Sequence, residues 1–151
     1  MGYGIRIKCN TCNYEEMFFM GVGGLFGLVY EKTVKAVRSG KYGAEWQQFF
    51  KEHPGAAILC EERLYQCPKC NHLQTNLDLA LYLNKDENPP KYHWAHWCDK
   101  NHDYEFVKSY VHKCPKCNAR MRKINDYRKK TFKCPECGSN IPCPEDGIDW
   151  D

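Results

Sequence analysis

Apolar and polar residues alternate from Tyr3 to Lys8 around Ile5 and Ile7, and an aromatic and apolar run from Tyr14 to Met20 follows. That pattern predicts two short strands joined by a tight turn. Between residues 25 and 38 the period changes: Phe26, Val29, Tyr30, Val34 and Val37 recur at three and four, which predicts a helix with one apolar stripe, ending at Ser39-Gly40. A second helix fits residues 44–53, with Trp46, Phe49, Phe50 and His53 on one face as core and Pro54-Gly55 as its stop. Residues 57–66 read as a strand. Residues 73–83 read as the clearest one, because Leu73, Thr75, Leu77, Leu79, Leu81 and Leu83 fall at alternate positions and so share a face. Pro89-Pro90 marks a linker, and residues 104–113, 119–124 and 131–133 supply further strands, with Asn125-Asp126 opening a turn. Two helices among many short strands predict an α+β fold.

The turns between these segments carry the chemistry. The chain has 11 cysteines, and eight form four Cys-x-x-Cys units: Cys9/Cys12, Cys67/Cys70, Cys114/Cys117 and Cys134/Cys137. Each unit is followed by Asn13, Asn71, Asn118 or Gly138, the residue types that best tolerate a left-handed backbone. Three of them place Pro68, Pro115 or Pro135 after the first cysteine, where a fixed φ suits a turn. Each such knuckle aims two sulfurs at one point, and two knuckles make a tetrathiolate zinc site. Eight thiolates therefore predict two Zn(2+) per chain. The 16 residues between Cys117 and Cys134 match the usual separation, so the expected sites are Cys114, Cys117, Cys134 and Cys137 on one ion and Cys9, Cys12, Cys67 and Cys70 on the other, with a crossed arrangement also open. An odd cysteine count, the spacing of three and the lack of a secretory signal at the start argue against a disulfide framework and for a reducing cytoplasm.

On this reading residues 1–84 form a zinc-ribbon module with a helical insertion at about 24–54. Residues 85–103 form a linker and an aromatic, His-rich hairpin, and residues 104–151 form a C-terminal zinc ribbon with an acidic tail. The apolar stretch of residues 17–30 is too short to cross a bilayer, so no membrane partner is expected. The glycines at 21, 23, 24 and 27 miss the dinucleotide fingerprint, because its last glycine would fall on Phe26.

Charge sharpens the picture. The formal net charge is +3 with neutral thiols, and two tetrathiolate zinc sites would add −4, leaving −1. Distribution matters more than the sum: residues 113–133 hold nine Lys or Arg and a single acid, Asp126, whereas residues 134–151 hold five acids and no base. Lys113, Lys116, Arg120, Arg122, Lys123, Arg128, Lys129 and Lys130, interleaved with Tyr127 and Phe132, are candidate nucleic-acid contacts. The same residues suit a solvated strand edge that lysines protect from pairing. Catalytic chemistry has one place to reside: His93, His96, Cys98 and His102 could make a third metal site or a reactive thiol. The hydrolase signature H-E-x-x-H is absent, and an aromatic hairpin is the favoured reading of the segment. Cys60, Cys98 and Cys143 read as small buried residues, with Cys143 near enough to the last knuckle to substitute as a ligand.

The knuckles resemble the zinc ribbon, or rubredoxin-like, family of metal-stapled β modules. More narrowly, the chain is similar to uncharacterised bacterial proteins that carry two such ribbons. The likeness rests on Met1-Gly2-Tyr3 with Cys9/Cys12, Gly21-Val22-Gly23, Cys67-Pro68-Lys69-Cys70, Cys134-Pro135-Glu136-Cys137-Gly138 and Trp150-Asp151. It implies eight zinc ligands and nothing catalytic. Closed four-cysteine sites keep no coordination position for a substrate, which favours a module that binds a protein partner or nucleic acid over a metal-dependent enzyme or thiol-redox protein working from residues 93–102. A scaffold subunit, with Trp46, Trp94, Trp97 and Trp150 at an interface, is the third class.

Overall fold

The structure, a computed structural model, describes residues 2–86, 92, 103–129, 131–142, 144 and 147–150. It is α+β, two helices among small, mostly antiparallel sheets, as the pattern predicts. In chain order come β1 (Gly2–Lys8), β2 (Glu15–Gly21), α1 (Phe26–Arg38), α2 (Ala44–Glu52), β3 (Ala56–Ile58) and β4 (Glu62–Gln66). Then follow β5 (Leu73–Leu77), β6 (Leu81–Asn84), β7 (Tyr104–Lys108), β8 (Arg122–Lys123), β9 (Phe132–Lys133), β10 (Asn140–Ile141) and β11 (Ile148–Trp150). The chain folds into two compact units, each assembled from separated segments: Met1–Gly23, Glu62–Asn76 and Val111–Asp151 make the first, Gly24–Glu61 and Leu77–Tyr110 the second.

The first unit is built on the β1–β2 hairpin, paired antiparallel from Gly2 opposite Gly21 to Lys8 opposite Glu15. Alternation along β1 buries Ile5 and Ile7 and turns Arg6 and Lys8 to solvent. The strand order is β11-β1-β2-β4-β5, and β8 pairs with β4. Two of these pairings join distant parts of the chain: Gly2 lies opposite Trp150, and Gln66 lies opposite Arg122. A Cβ on Gly147 would run into the carbonyl oxygen of Gly4, so the approach of β11 to β1 requires glycine there. Ile5, Ile7, Phe18, Met20, Leu64, Leu73, Phe132 and Ile141 fill the core, together with Cys9 and Cys134. A smaller cluster gathers Tyr65, Cys67, Cys114 and Met121.

In the second unit, α1 and α2 lie where the 3.6-residue period places them. Their apolar faces meet Ile58, Cys60, Leu79 and Leu81 through Tyr30, Val37 and Trp46. Trp46 is 6 % exposed and its indole N–H donates to the Leu79 carbonyl at 2.9 Å, so it is core, as expected. The sheet of this unit runs β3-β6-β7.

Two expected strands break, and at corresponding places. Residues 73–83 do not form one strand: β5 ends at Leu77, Leu79 adopts a left-handed φ of 59°, and β6 starts at Leu81. Residues 57–66 divide likewise into β3 and β4. Across the break the two runs stay hydrogen-bonded, with the Leu59 N–H donating to Ala80, Leu79 to Leu59 and Asp78 to Glu61, each at 2.8–2.9 Å. Leu73 therefore enters the core of the first unit while Leu79 and Leu81 enter that of the second. Residues 104–108 also depart from expectation. They pair with β6 in the second unit, Leu83 opposite Glu105, with Tyr82 and Phe106 edge to face at 5.6 Å, and do not join the cysteine-bearing strands.

Candidate metal centres

Each knuckle is a turn whose first cysteine donates its N–H to a carbonyl five residues on: Cys9 to Tyr14 at 2.9 Å, Cys67 to His72 at 2.9 Å, Cys114 to Ala119 at 2.8 Å and Cys134 to Ser139 at 2.8 Å. In three of them the residue after the second cysteine donates back to the first, and it is left-handed: Asn71 and Asn118 at φ 59°, Gly138 at 73°. Asn13 does not share that conformation. The first knuckle carries Asn10 where the others carry proline, and its Thr11 N–H points to Cys9 Sγ at 3.4 Å.

All eight knuckle cysteines lie in the first unit, in two groups, and the grouping corrects the sequential expectation. Cys9 and Cys12 meet Cys134 and Cys137, while Cys67 and Cys70 meet Cys114 and Cys117, with the Sγ atoms of each group within 4.8 Å of one another. The outer pairs of the chain thus enclose the inner pairs. Strand pairing causes this: β11 on β1 carries the C-terminal segment back to the N-terminal knuckle, and β8 on β4 carries the third knuckle to the second.

The donor set fits a metal. A tetrahedral ion with Zn–S bonds of about 2.3 Å separates its sulfurs by about 3.8 Å. Sulfur–sulfur separations between knuckles are 3.6 Å for Cys9–Cys137 and Cys12–Cys134, 3.4 Å for Cys67–Cys117 and 3.5 Å for Cys70–Cys114. A disulfide needs about 2.05 Å, and every described cysteine is free. The two groups fit zinc-ribbon-like metal sites. In each knuckle the first cysteine is buried in the apolar core and the second is nearer solvent, with Cys137 exposed.

With protons rather than a metal on the sulfurs, each group is electrostatically divided. Burial pushes the Cys67 thiol up, yet the N–H groups of Cys70 and Lys69 outweigh it and bring the thiol down to about 6. The hydroxyl and N–H of Ser139 lower Cys137 to about 6. The N–H groups of His72 and Tyr14 pull Cys70 and Cys12 down, but burial and neighbouring sulfurs prevail and push both up to about 12. The N–H of Thr11 lowers Cys9 as well, so each group holds at least one sulfur that gives up its proton more readily than a free thiol, and an arriving cation displaces protons from the rest.

Of the other candidates, Lys113, Lys116, Arg120, Arg122 and Arg128 are exposed and Lys123 is half-buried, all in the first unit. Lys129 ends a single 3-10 turn at Tyr127–Lys129, and Lys130 lies outside the described residues. His93, His96, Cys98, His102 and Cys143 also lie outside them. Cys60 is 2 % exposed and burial pushes its thiol up to about 12, which suits an inert core residue. Residue-by-residue reading missed Tyr3, Gln66, Thr131, Lys133 and Asp149, which line two recesses beside the basic segment. Only the excess of positive charge pointed there.

No helix among the described residues is long and apolar enough to cross a membrane. Compared with family models, curated proteins and solved structures, the chain has no significant match.

Proposed function

We propose that this is a zinc protein in which two structural four-cysteine sites hold the first unit together as a binding module for a macromolecular partner. One observation supports the reading above all: each group offers four thiols whose sulfurs lie within 4.8 Å of one another, and four protein ligands fill the coordination shell of zinc. When bound, each ion supplies a cross-link whose formation is folding energy. Cys9, Cys12, Cys134 and Cys137 hold one, and Cys67, Cys70, Cys114 and Cys117 the other. A full shell has no place for substrate, so the reading is non-catalytic and leaves recognition to the protein surface. Free, metal-ready thiols suit a reducing compartment such as the cytoplasm.

Native mass spectrometry with elemental analysis tests this directly. Two zinc per chain, lost to a strong chelator together with the thermal unfolding transition of the first unit, is the expected result. A chain that stays folded without metal, that carries iron instead, or that holds a third, exchangeable metal would reject it.

A further inference from the structure

We propose that the surface formed by residues 122–128 and 131–133 binds single-stranded nucleic acid, seating a phosphate in one recess and an unpaired base in the next; this rests on the zinc-held module proposed above. The first recess, about 310 Å³, is lined by Arg122, Lys123 and Lys133 with Gln66, Asn71 and Thr131. Among the described residues no carboxylate lines it. Three cations beside amide and hydroxyl groups are the chemistry of a phosphate seat. Its walls are fixed: the Gln66 amide donates to the carbonyls of Asn71 at 3.2 Å and Lys133 at 2.9 Å, tying β4 to β9. Cys67 and Asn71 also place it against the second knuckle, so the inner metal site braces one side.

The second recess, about 340 Å³, has the opposite character. Tyr3 and Tyr127 stack at 5.6 Å with 27° between their planes, and the Arg128 guanidinium lies 5.6 Å from the Tyr127 ring centre. Asn125, Asp126 and Asp149 complete the wall. Carboxylates repel phosphate but accept hydrogen bonds from the amino groups of bases, while rings and a guanidinium plane stack on a base face. Ile124 lines the first recess and Asn125 the second, and consecutive Cα atoms are about 3.8 Å apart. The two recesses therefore meet neighbouring parts of one strand. Base faces and Watson–Crick edges are open only in unpaired nucleic acid, which selects a single strand over a duplex.

The test uses the full chain carrying both metals and fluorescence anisotropy of a short labelled single-stranded oligonucleotide. Binding should weaken with salt, and Arg122→Glu with Lys133→Glu should make the slope of log affinity against log salt shallower by about 0.7 for each phosphate no longer neutralised. Tyr127→Ala should cost about ten-fold in affinity. Because Tyr127 also packs on the core, the exposed Arg128→Glu serves as a second probe of the same recess. Metal content and melting temperature of each variant confirm its fold. Three results would overturn the inference: no binding by a protein that holds both metals, tighter binding of a duplex of the same sequence, or equal competition by inorganic polyphosphate with no effect of either base-recess variant. The first leaves the zinc module standing, whereas a chain found without metal removes the module itself.

Discussion

Asn71 and Asn118 hold a left-handed backbone beside their metal-ready sulfurs, and that conformation sets the cost of replacing them. Asn118 is exposed, so its replacement tests the backbone alone. Asn118→Gly should leave stability unchanged or slightly raised, whereas Asn118→Val should lower it by about 1–2 kcal/mol, read from thermal melts of the metal-loaded protein. The residue types after the knuckles made this legible in sequence, except at Asn13, which is not left-handed. Glu62 was not legible, because its burial depends on strand pairing. One of its carboxylate oxygens is buried without a hydrogen-bond partner among the described residues, and burial raises its pKa. A raised acid favours folding fully below its unfolded pKa, and that contribution is lost as pH rises through the folded value. Glu62→Gln should therefore match the wild type near pH 4 and exceed it at pH 7 by about 1 kcal/mol, the low end for an unsatisfied buried acceptor. A constant difference across that range would contradict the assignment.

At the level of elements, the helices were readable because a 3.6-residue stripe needs one partner surface and α1 and α2 each have one. The leucine run was misread for the converse reason. Period-2 alternation reports which side is apolar, and it continues unbroken through Leu79 even though the backbone turns left-handed there and the run changes cores. Pattern alone does not encode that change of partner. The contact of β11 with β1 was invisible too, since it depends on the absence of a side chain at Gly147. Gly147→Ala should force the two strands apart at a cost of about 1–3 kcal/mol. The metal at Cys9, Cys12, Cys134 and Cys137 should then pass to a chelator faster than the metal at the other site. Equal loss rates from both sites would show that β11 does not secure the outer one.

For the molecule as a whole, the enclosure of one cysteine group by the other explains why spacing misled the pairing. The enclosed arrangement closes intervals of 121 and 43 residues, against 54 and 16 for sequential pairing. Loop closure grows only with the logarithm of length, so the shorter intervals are favoured by about 1.6 kcal/mol. The pairings of β1 with β11 and β4 with β8, and the apolar core behind them, outweigh that. Metal counting distinguishes the two schemes. The double variant Cys9→Ser with Cys137→Ser should keep one ion, and Cys117→Ser with Cys134→Ser should lose both; the reverse would restore sequential pairing.

Enclosure also sets an order of events while the polypeptide is being made. At ribosomal speeds of about 5–20 residues per second, roughly 6–24 s pass between the appearance of Cys12 and that of Cys134. Through that interval the first two thiols have no mates, while the inner quartet is finished earlier. The amino-terminal hairpin must therefore wait, exposed to oxidants and stray metals, for nearly all of its neighbours to be synthesised.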